Sequence, residues 1–364
     1  MRIGIPRETK DGEHRVALTP QAAGDLVRSG HEVSIEHGAG VGSGFADAQY
    51  EAQGARVVAD AAQAFAAELV VKVKELQPGE YRLPRRGQML FAYLHLAPDP
   101  ALLEALLASG VTGIAFETVR DEAGRLPLLA PMSRIAGALA VQAGAWMLNM
   151  ANGGSGVLLA AVPGVAPARV AVIGAGASGS RAIAAAAGLG ASVVALDVDA
   201  HRLGEIAARH AGVETLASDP AAIEREVAAA DLVIGALLVP GHLAPRLISR
   251  ELMRRRRRGS AFVDIGIDQG GISETSRPSS HSQPFYVDEG VVHYCVPNMP
   301  AACARTASMA LSSAILPYVA NLAANALDAL RIDSGFGAGV QVHEGRVTHA
   351  GLAQDTGRAY QTLA

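Results

Sequence analysis

Residues 169–179 read RVAVIGAGASG. The first five are mostly apolar and β-branched, the pattern of a short buried strand. Gly174, Gly176 and Gly179 then stand at Gly-x-Gly-x-x-Gly spacing, with Ala177 and Ser178 between the last two. An alanine-rich helical run follows over 180–189, and a second strand over 192–196 leads into Asp197. Strand, glycine turn, helix, strand and acidic residue in that order supply the context that turns a weak glycine spacing into a dinucleotide-binding fingerprint. Gly174 permits the tight turn, Gly176 lets the backbone approach a pyrophosphate, and Gly179 lets helix and strand pack closely. The helix N-terminus offers unpaired N–H groups to the phosphates. Asp197 is placed to accept hydrogen bonds from the ribose hydroxyls; its charge repels a 2′-phosphate, so NAD is expected rather than NADP.

Outward from this stretch, strands and helices alternate along the whole chain. In the first half, strands are expected at 1–6, 32–36, 69–74, 89–94 and 113–117, with helical patterns at 20–29 and 100–108 between them. In the second half they are expected at 168–173, 191–196, 231–236 and 261–264. The loops after the last two, LLVPG at 237–241 and IGIDQGG at 265–271, fall where nicotinamide contacts belong. Long helical patterns run over 132–148 and from Pro300 to about Leu330. The expected fold is α/β: two Rossmann-like doubly wound domains with mainly parallel sheets, joined by the two long helices, with a ligand cleft between them. Residues 1–130 plus 306–364 form the first domain, and 131–305 the second.

Half of the 364 residues are hydrophobic and 18% are charged, which excludes a disordered chain. A net charge of -4 argues against a nucleic-acid or anionic-membrane binder. The arginine run 254–258 reads as the solvated end of a helix stopped by Gly259. Cys295 and Cys303 form no disulfide framework and have no partners at metal-ligand spacing, so no metal is expected. Apolar runs break before 18 residues and no leader pattern opens the chain, so the expectation is a cytoplasmic protein without a membrane span.

Lysine is scarce: Lys10, Lys72 and Lys74 are the only three among 31 basic residues. Arg15 precedes VALTP at 16–20, Lys74 closes the expected strand 69–74, and His95 follows the strand 89–94. Residues at the C-terminal ends of parallel strands face the crevice, so these three can converge. A guanidinium with an ammonium suits a small carboxylate, and a histidine beside them can carry a proton. Lys72 and Lys74 share a face by strand alternation, so spacing does not choose between them. Taken singly, Arg15 also fits a surface ion pair, and His95 a structural histidine.

The chain resembles the bacterial L-alanine dehydrogenases of the alanine dehydrogenase/pyridine nucleotide transhydrogenase superfamily, essentially end to end. The resemblance rests on MRIGIPRETK at 1–10, HRVALTP at 14–20, VKVKE at 71–75, YLHLA at 93–97 and LLAPMS at 128–133. It continues through VPGV at 162–165, the glycine fingerprint and DLVIGALLVPG at 231–241. The most specific segments are VDIGIDQGG at 263–271, ETSRPSSHS at 274–282 and HYCVPNMP at 293–300. It implies that Arg15 and Lys74 hold the substrate carboxylate and carbonyl, with His95 the general acid–base and Asp268 the second catalytic group. For NAD it implies Ser133, the loop 174–179, Asp197, Ser218, Leu238, Ile267, Asn298 and Met299. The implied substrates are L-alanine, pyruvate and ammonia, and the implied assembly is a homohexamer. The chain departs from the family pattern at Arg134, where a glutamate is usual, at Ala138, at 146–152 and at 303–306. The alternatives are a related amino-acid or opine-type dehydrogenase acting on another small 2-oxo acid, and a catalytically silent NAD-binding relative.

Overall fold

The computed structural model describes residues 1–237 and 244–363. The chain divides into two compact units, Met1–Met132 with Cys303–Ala364, and Ser133–Ala302. Each is α/β and built on one mainly parallel sheet.

The first unit begins with β1 (Arg2–Ile5), β2 (Glu32–Glu36), β3 (Arg56–Val58), β4 (Leu69–Val71), β5 (Met89–Ala92) and β6 (Thr112–Ala115). The second contains β7 (Arg169–Ile173), β8 (Ser192–Asp197), β9 (Glu214–Ala217), β10 (Leu232–Gly235), β11 (Ala261–Asp264), β12 (Phe285–Asp288) and β13 (Val291–Tyr294). The chain returns to the first unit for β14 (Val340–His343) and β15 (Arg346–Val347). The spatial orders are β3-β2-β1-β4-β5-β6-β14-β15 and β9-β8-β7-β10-β11-β13-β12. Both are doubly wound, and the strand order reverses at β1/β4 in one sheet and at β7/β10 in the other. Antiparallel pairing is confined to one edge of each sheet, at β14 and β15 and at β12. The inner strands are buried on both faces, which is why their sequences are continuous apolar runs rather than alternating ones.

Several expectations are corrected. The strand expected over 69–74 ends at Val71, so Lys72 and Lys74 lie beyond it and do not share a strand face. The strands β3, β9 and β12 to β15, at or next to the sheet edges, escape the sequence reading because they are short or half polar. The long C-terminal helix is two, Ala304–Asn325 and Asp328–Ile332, broken at Ala326, whose φ is 49°. The helical stretch Met299–Asn325 is long and apolar enough to cross a membrane by length and composition, contrary to the expectation from apolar runs. Within its unit, however, Leu311, Ile315, Val319 and Leu322 of this helix are fully buried, and Ser308 and Ser312 accept the backbone N–H groups of Val16 and Thr19. It is thus the core helix that holds the segment carrying Arg15.

The arginine run is a solvated helix end at Arg254, Arg255, Arg257 and Arg258, which are exposed, and departs from that expectation only at Arg256. The helix is Arg250–Arg254. Beyond it Arg255 and Arg257 pair with Glu224 and Asp231, and Arg256 is buried, donating to the carbonyls of Ala230 and Ala261.

Gly4 of β1 lies against the helix Ala61–Ala64, where an added Cβ would stand 1.9 Å from the carbonyl oxygen of Ala64. Gly4→Ala is expected to cost about 2–4 kcal/mol, read as a lower urea midpoint in far-ultraviolet circular dichroism.

Candidate active site

Arg15, Lys74 and His95 follow β1, β4 and β5, at the switch point of the first sheet and beside it. Arg15 is 2% exposed. Its Nε donates to Glu13 Oε1 at 2.7 Å, its Nη2 pairs with Glu13 Oε2, and its Nη1 lies 3.2 Å from the sulfur of Met132. Burial works against the charge, but the carboxylate of Glu13 outweighs it and holds the guanidinium above its ordinary pKa. The alternative of a surface ion pair for Arg15 is therefore corrected to a buried one.

Lys74 is largely buried, with Nζ 5.9 Å from the ring centroid of Tyr93. Desolvation lowers its pKa, and the charges of Arg15 and Lys10 act in the same direction against Glu75 and Glu13. Its backbone is fixed by Glu8, whose Oε1 accepts from Val73 N at 2.7 Å and whose Oε2 accepts from Lys74 N at 3.3 Å. Lys72 goes elsewhere. It is fully buried and donates to Glu80 at 2.7 Å, with Glu8 at 3.5 Å. Burial opposes its charge, and Glu8 and Glu80 more than compensate, raising its pKa. Lys72 thus secures the two carboxylates that hold the loop carrying Lys74, since Glu80 also accepts from Gln77 N at 2.8 Å.

His95 is exposed and has a φ of 45°, an uncommon backbone conformation for a residue other than glycine. Glu117 Oε1 accepts from the N–H groups of both Leu94 (3.1 Å) and His95 (2.8 Å), which stabilises this turn. Nδ1 of His95 lies 3.6 Å from Glu75 Oε2. Glu75, Glu13, Glu8 and Glu80 escaped the sequence reading. Only the position of Glu75 beside Lys74 could have pointed to one of them.

In the second unit the fingerprint glycines have separate duties. Gly174 has a φ of 100°, and a Cβ on it would stand 2.7 Å from the carbonyl oxygen of Ala236. A Cβ on Gly179 would stand 1.7 Å from the Gly174 oxygen. At Gly176 a Cβ would meet nothing within 4 Å, so this position borders open space. Gly176 caps the helix Ala177–Gly188 without any side-chain bond to its first N–H groups. An open glycine cradle before an uncapped helix N-terminus fits a dinucleotide pyrophosphate. Ala177 is exposed and Ser178 half-buried at this entrance.

Asp197 closes β8, accepting from Ala175 N at 2.6 Å and Asp199 N at 2.8 Å, with the guanidinium of Arg202 at 3.8 Å. Ser218, just past β9, donates its N–H to the Asp197 carbonyl at 3.0 Å. Ser133 lies one helical turn before Gly137, which packs so closely on Ser178 that a Cβ would fall 2.0 Å from its carbonyl oxygen. Ile267 is buried and Asp268 exposed on the turn Ile265–Gln269 after β11. Asp264 holds this loop, accepting from Gly266 N (3.1 Å), Ile272 N (2.8 Å) and Ser276 Oγ (2.5 Å). Asn298, with a φ of 55°, donates its N–H to Asp268 Oδ2 at 3.4 Å, and Met299 beside it is buried. Leu238 and the rest of the loop 238–241 lie outside the described residues. Among the described residues, no cluster of three metal-ligating side chains occurs.

Residues 4–136 match the family model described as "Alanine dehydrogenase/PNT, N-terminal domain", and 140–350 match its C-terminal counterpart. The chain is 50% identical to an alanine dehydrogenase of Halomonas elongata, over 100% of this chain and 99% of that one. A solved L-alanine dehydrogenase superimposes with a TM-score of 0.95 at 48% identity, covering 98% of this chain and 99% of that one. A transhydrogenase from Sinorhizobium meliloti is similar at a TM-score of 0.84 and 27% identity, over 96% and 99% of the two chains.

Lys72→Met leaves two buried carboxylates without their cation and is expected to cost about 3–5 kcal/mol. Differential scanning calorimetry would read it as a lower Tm, partly recovered in the double variant Lys72→Met/Glu80→Gln.

Proposed function

The chain belongs to the alanine dehydrogenase/PNT family, and we propose that within it the protein catalyses the NAD-dependent oxidative deamination of L-alanine to pyruvate and ammonia, and the reverse reductive amination. The observation that carries this reading is the convergence of Arg15, Lys74 and His95 beyond β1, β4 and β5. We assign the substrate to this unit and NAD to the one carrying the glycine cradle.

NAD, when bound, accepts the hydride from the substrate Cα. Arg15 and Lys74 bind the carboxylate of a small amino or oxo acid, and Lys74 polarises the pyruvate oxygen in the aminating direction. Glu13 offsets the charge of Arg15 and makes its guanidinium a fixed fork. As the hydride leaves, the nitrogen lone pair forms an iminium, and water adds to its carbon. His95 takes the proton that this water loses, then gives one to the nitrogen so that ammonia departs and the carbonyl forms. Asp268 stabilises the iminium charge and orients the water. Ser133, Ser178, Ser218, Ile267, Asn298 and Met299, with Leu238, complete the NAD contacts in this reading, and Asp197 takes the ribose hydroxyls. The same family reading makes the protein a cytoplasmic homohexamer.

The test is reductive amination, followed by loss of reduced-nicotinamide absorbance with ammonia and a panel of 2-oxo acids. Pyruvate is expected to lead. Glyoxylate or 2-oxobutyrate leading by a wide margin would reassign the substrate, and NADH binding without turnover would make the chain a silent relative. Asp268→Ala is expected to lower kcat by about a hundredfold or more while the Kd for NADH stays within about threefold. Asp197→Ser removes the carboxylate and leaves Arg202 beside the ribose position, so NADP use relative to NAD is expected to rise at least about tenfold. An unchanged ratio would detach Asp197 from the ribose.

A further inference from the structure

Two groups of the first unit stand outside the chemistry just described. Lys10, beyond β1, pairs with Glu75 Oε1, and its side chain is 39% exposed. The other carboxylate oxygen, Glu75 Oε2, is buried and accepts no hydrogen bond among the described residues. A buried carboxylate oxygen needs a donor. The nitrogen facing it is Nδ1 of His95, at 3.6 Å. That separation is just beyond a hydrogen bond, and a small torsion of the half-exposed imidazole closes it. Such gaps are common in unliganded sites and tighten when substrate binds.

We propose that Glu75 is a positioning residue for His95: its carboxylate receives Nδ1–H, turns Nε2 toward the substrate and stabilises the ring when it carries two protons, while Lys10 holds the carboxylate in place. The inference rests on the assignment of His95 as proton carrier. In the neutral ring Nδ1 bears the hydrogen and Nε2 the lone pair. When water adds to the iminium carbon, the new C–O bond forms, the C=N π electrons move to nitrogen, and the water proton passes to Nε2. The imidazolium then faces the carboxylate, and no proton moves to Glu75. The same proton returns to the amine nitrogen, and as the C–N bond breaks and the C=O bond forms, the carbinol O–H proton passes to Nε2, which releases it to solvent.

The surroundings keep the carboxylate ionised. Burial pushes its pKa up, but His95, Lys74 and Lys10 outweigh burial and hold Glu75 well below the usual carboxylate range. The other ionisable groups around the pair are Tyr93, whose ring centroid lies 6.0 Å from that of His95, Glu117, which holds the His95 backbone, Tyr81, which feels the charge of Glu75, and Arg15 with Glu13 across Lys74. Of these, Glu75 is the carboxylate that faces the ring itself.

The experiment follows kcat/KM for alanine oxidation against pH in the full-length enzyme, in its wild-type form and as Glu75→Gln, Glu75→Asp, Lys10→Met and His95→Gln. Glu75→Gln is expected to move the acid-side midpoint down by about one pH unit and lower kcat about 10- to 100-fold, with KM for alanine within about threefold. Glu75→Asp, which keeps the charge, restores the midpoint. Lys10→Met, which removes the counter-charge, moves it up by roughly half a unit. An unmoved midpoint in Glu75→Gln, or an effect confined to KM, overturns the proposal. If Glu75→Gln does not fold by circular dichroism, Lys10→Met decides, and its unmoved midpoint overturns the proposal equally. His95→Gln separates the two levels. Near-wild-type turnover in it removes the acid–base reading, whereas its inactivity alongside a wild-type profile for Glu75→Gln removes the positioning role alone.

Discussion

A parallel strand that leaves its sheet carries backbone N–H groups beyond the last ladder bond, and near the sheet's crevice those groups need acceptors. In this chain a carboxylate takes them at one functional strand end after another. Glu36 holds Arg7 N after β1, Glu8 holds Val73 and Lys74 after β4, and Glu117 holds Leu94 and His95 after β5. Asp197 ties Ala175, the second fingerprint residue, to the end of β8, and Asp264 closes the loop after β11. The residues proposed for the site are displayed by these loops, so their placement depends on acidic side chains outside the proposed chemistry.

The same device raises a charge problem, because several of these carboxylates are buried. Those around Lys74 are balanced locally. Lys72 serves Glu8 and Glu80, Arg15 is paired with Glu13, and Lys10 with Glu75. Buried ion pairs of this kind add little net stability over apolar packing, but removing one member is costly. Here they hold a loop in register, with Lys74 as the ammonium next to the pairs rather than inside one.

The second unit was largely legible in the sequence because its signal is local. Three glycines, the strand before them and the acid after them lie within thirty residues; Gly174 and Gly179 each turn out to have a distinct steric reason, while Gly176 borders open space. The first unit was legible in outline, since Arg15, Lys74 and His95 are isolated polar residues at the ends of apolar runs. Their supporting carboxylates were not, because Glu8 and Lys72, or Glu117 and His95, meet only through the sheet's crossovers. Strand alternation misled at Lys72 and Lys74 for a physical reason. The apolar run continues through Val73, but the ladder stops at Val71, and beyond it side-chain direction is set by Glu8 and not by pleat. The arginine run held as an exposed helix end except at Arg256, which satisfies buried carbonyls.

The three lysines all fall around one loop, and this has a practical side. Lys72 is sealed, Lys74 is largely covered, and Lys10 is partly open with its amine on Glu75. Amine-directed chemistry, whether a fluorescent ester, a crosslinker or an immobilisation resin, therefore finds its side-chain targets beside the substrate cluster and nowhere else on the surface. On the proposed assignment of Lys74, conjugation through lysine is active-site modification, and attachment to a support should use another side chain.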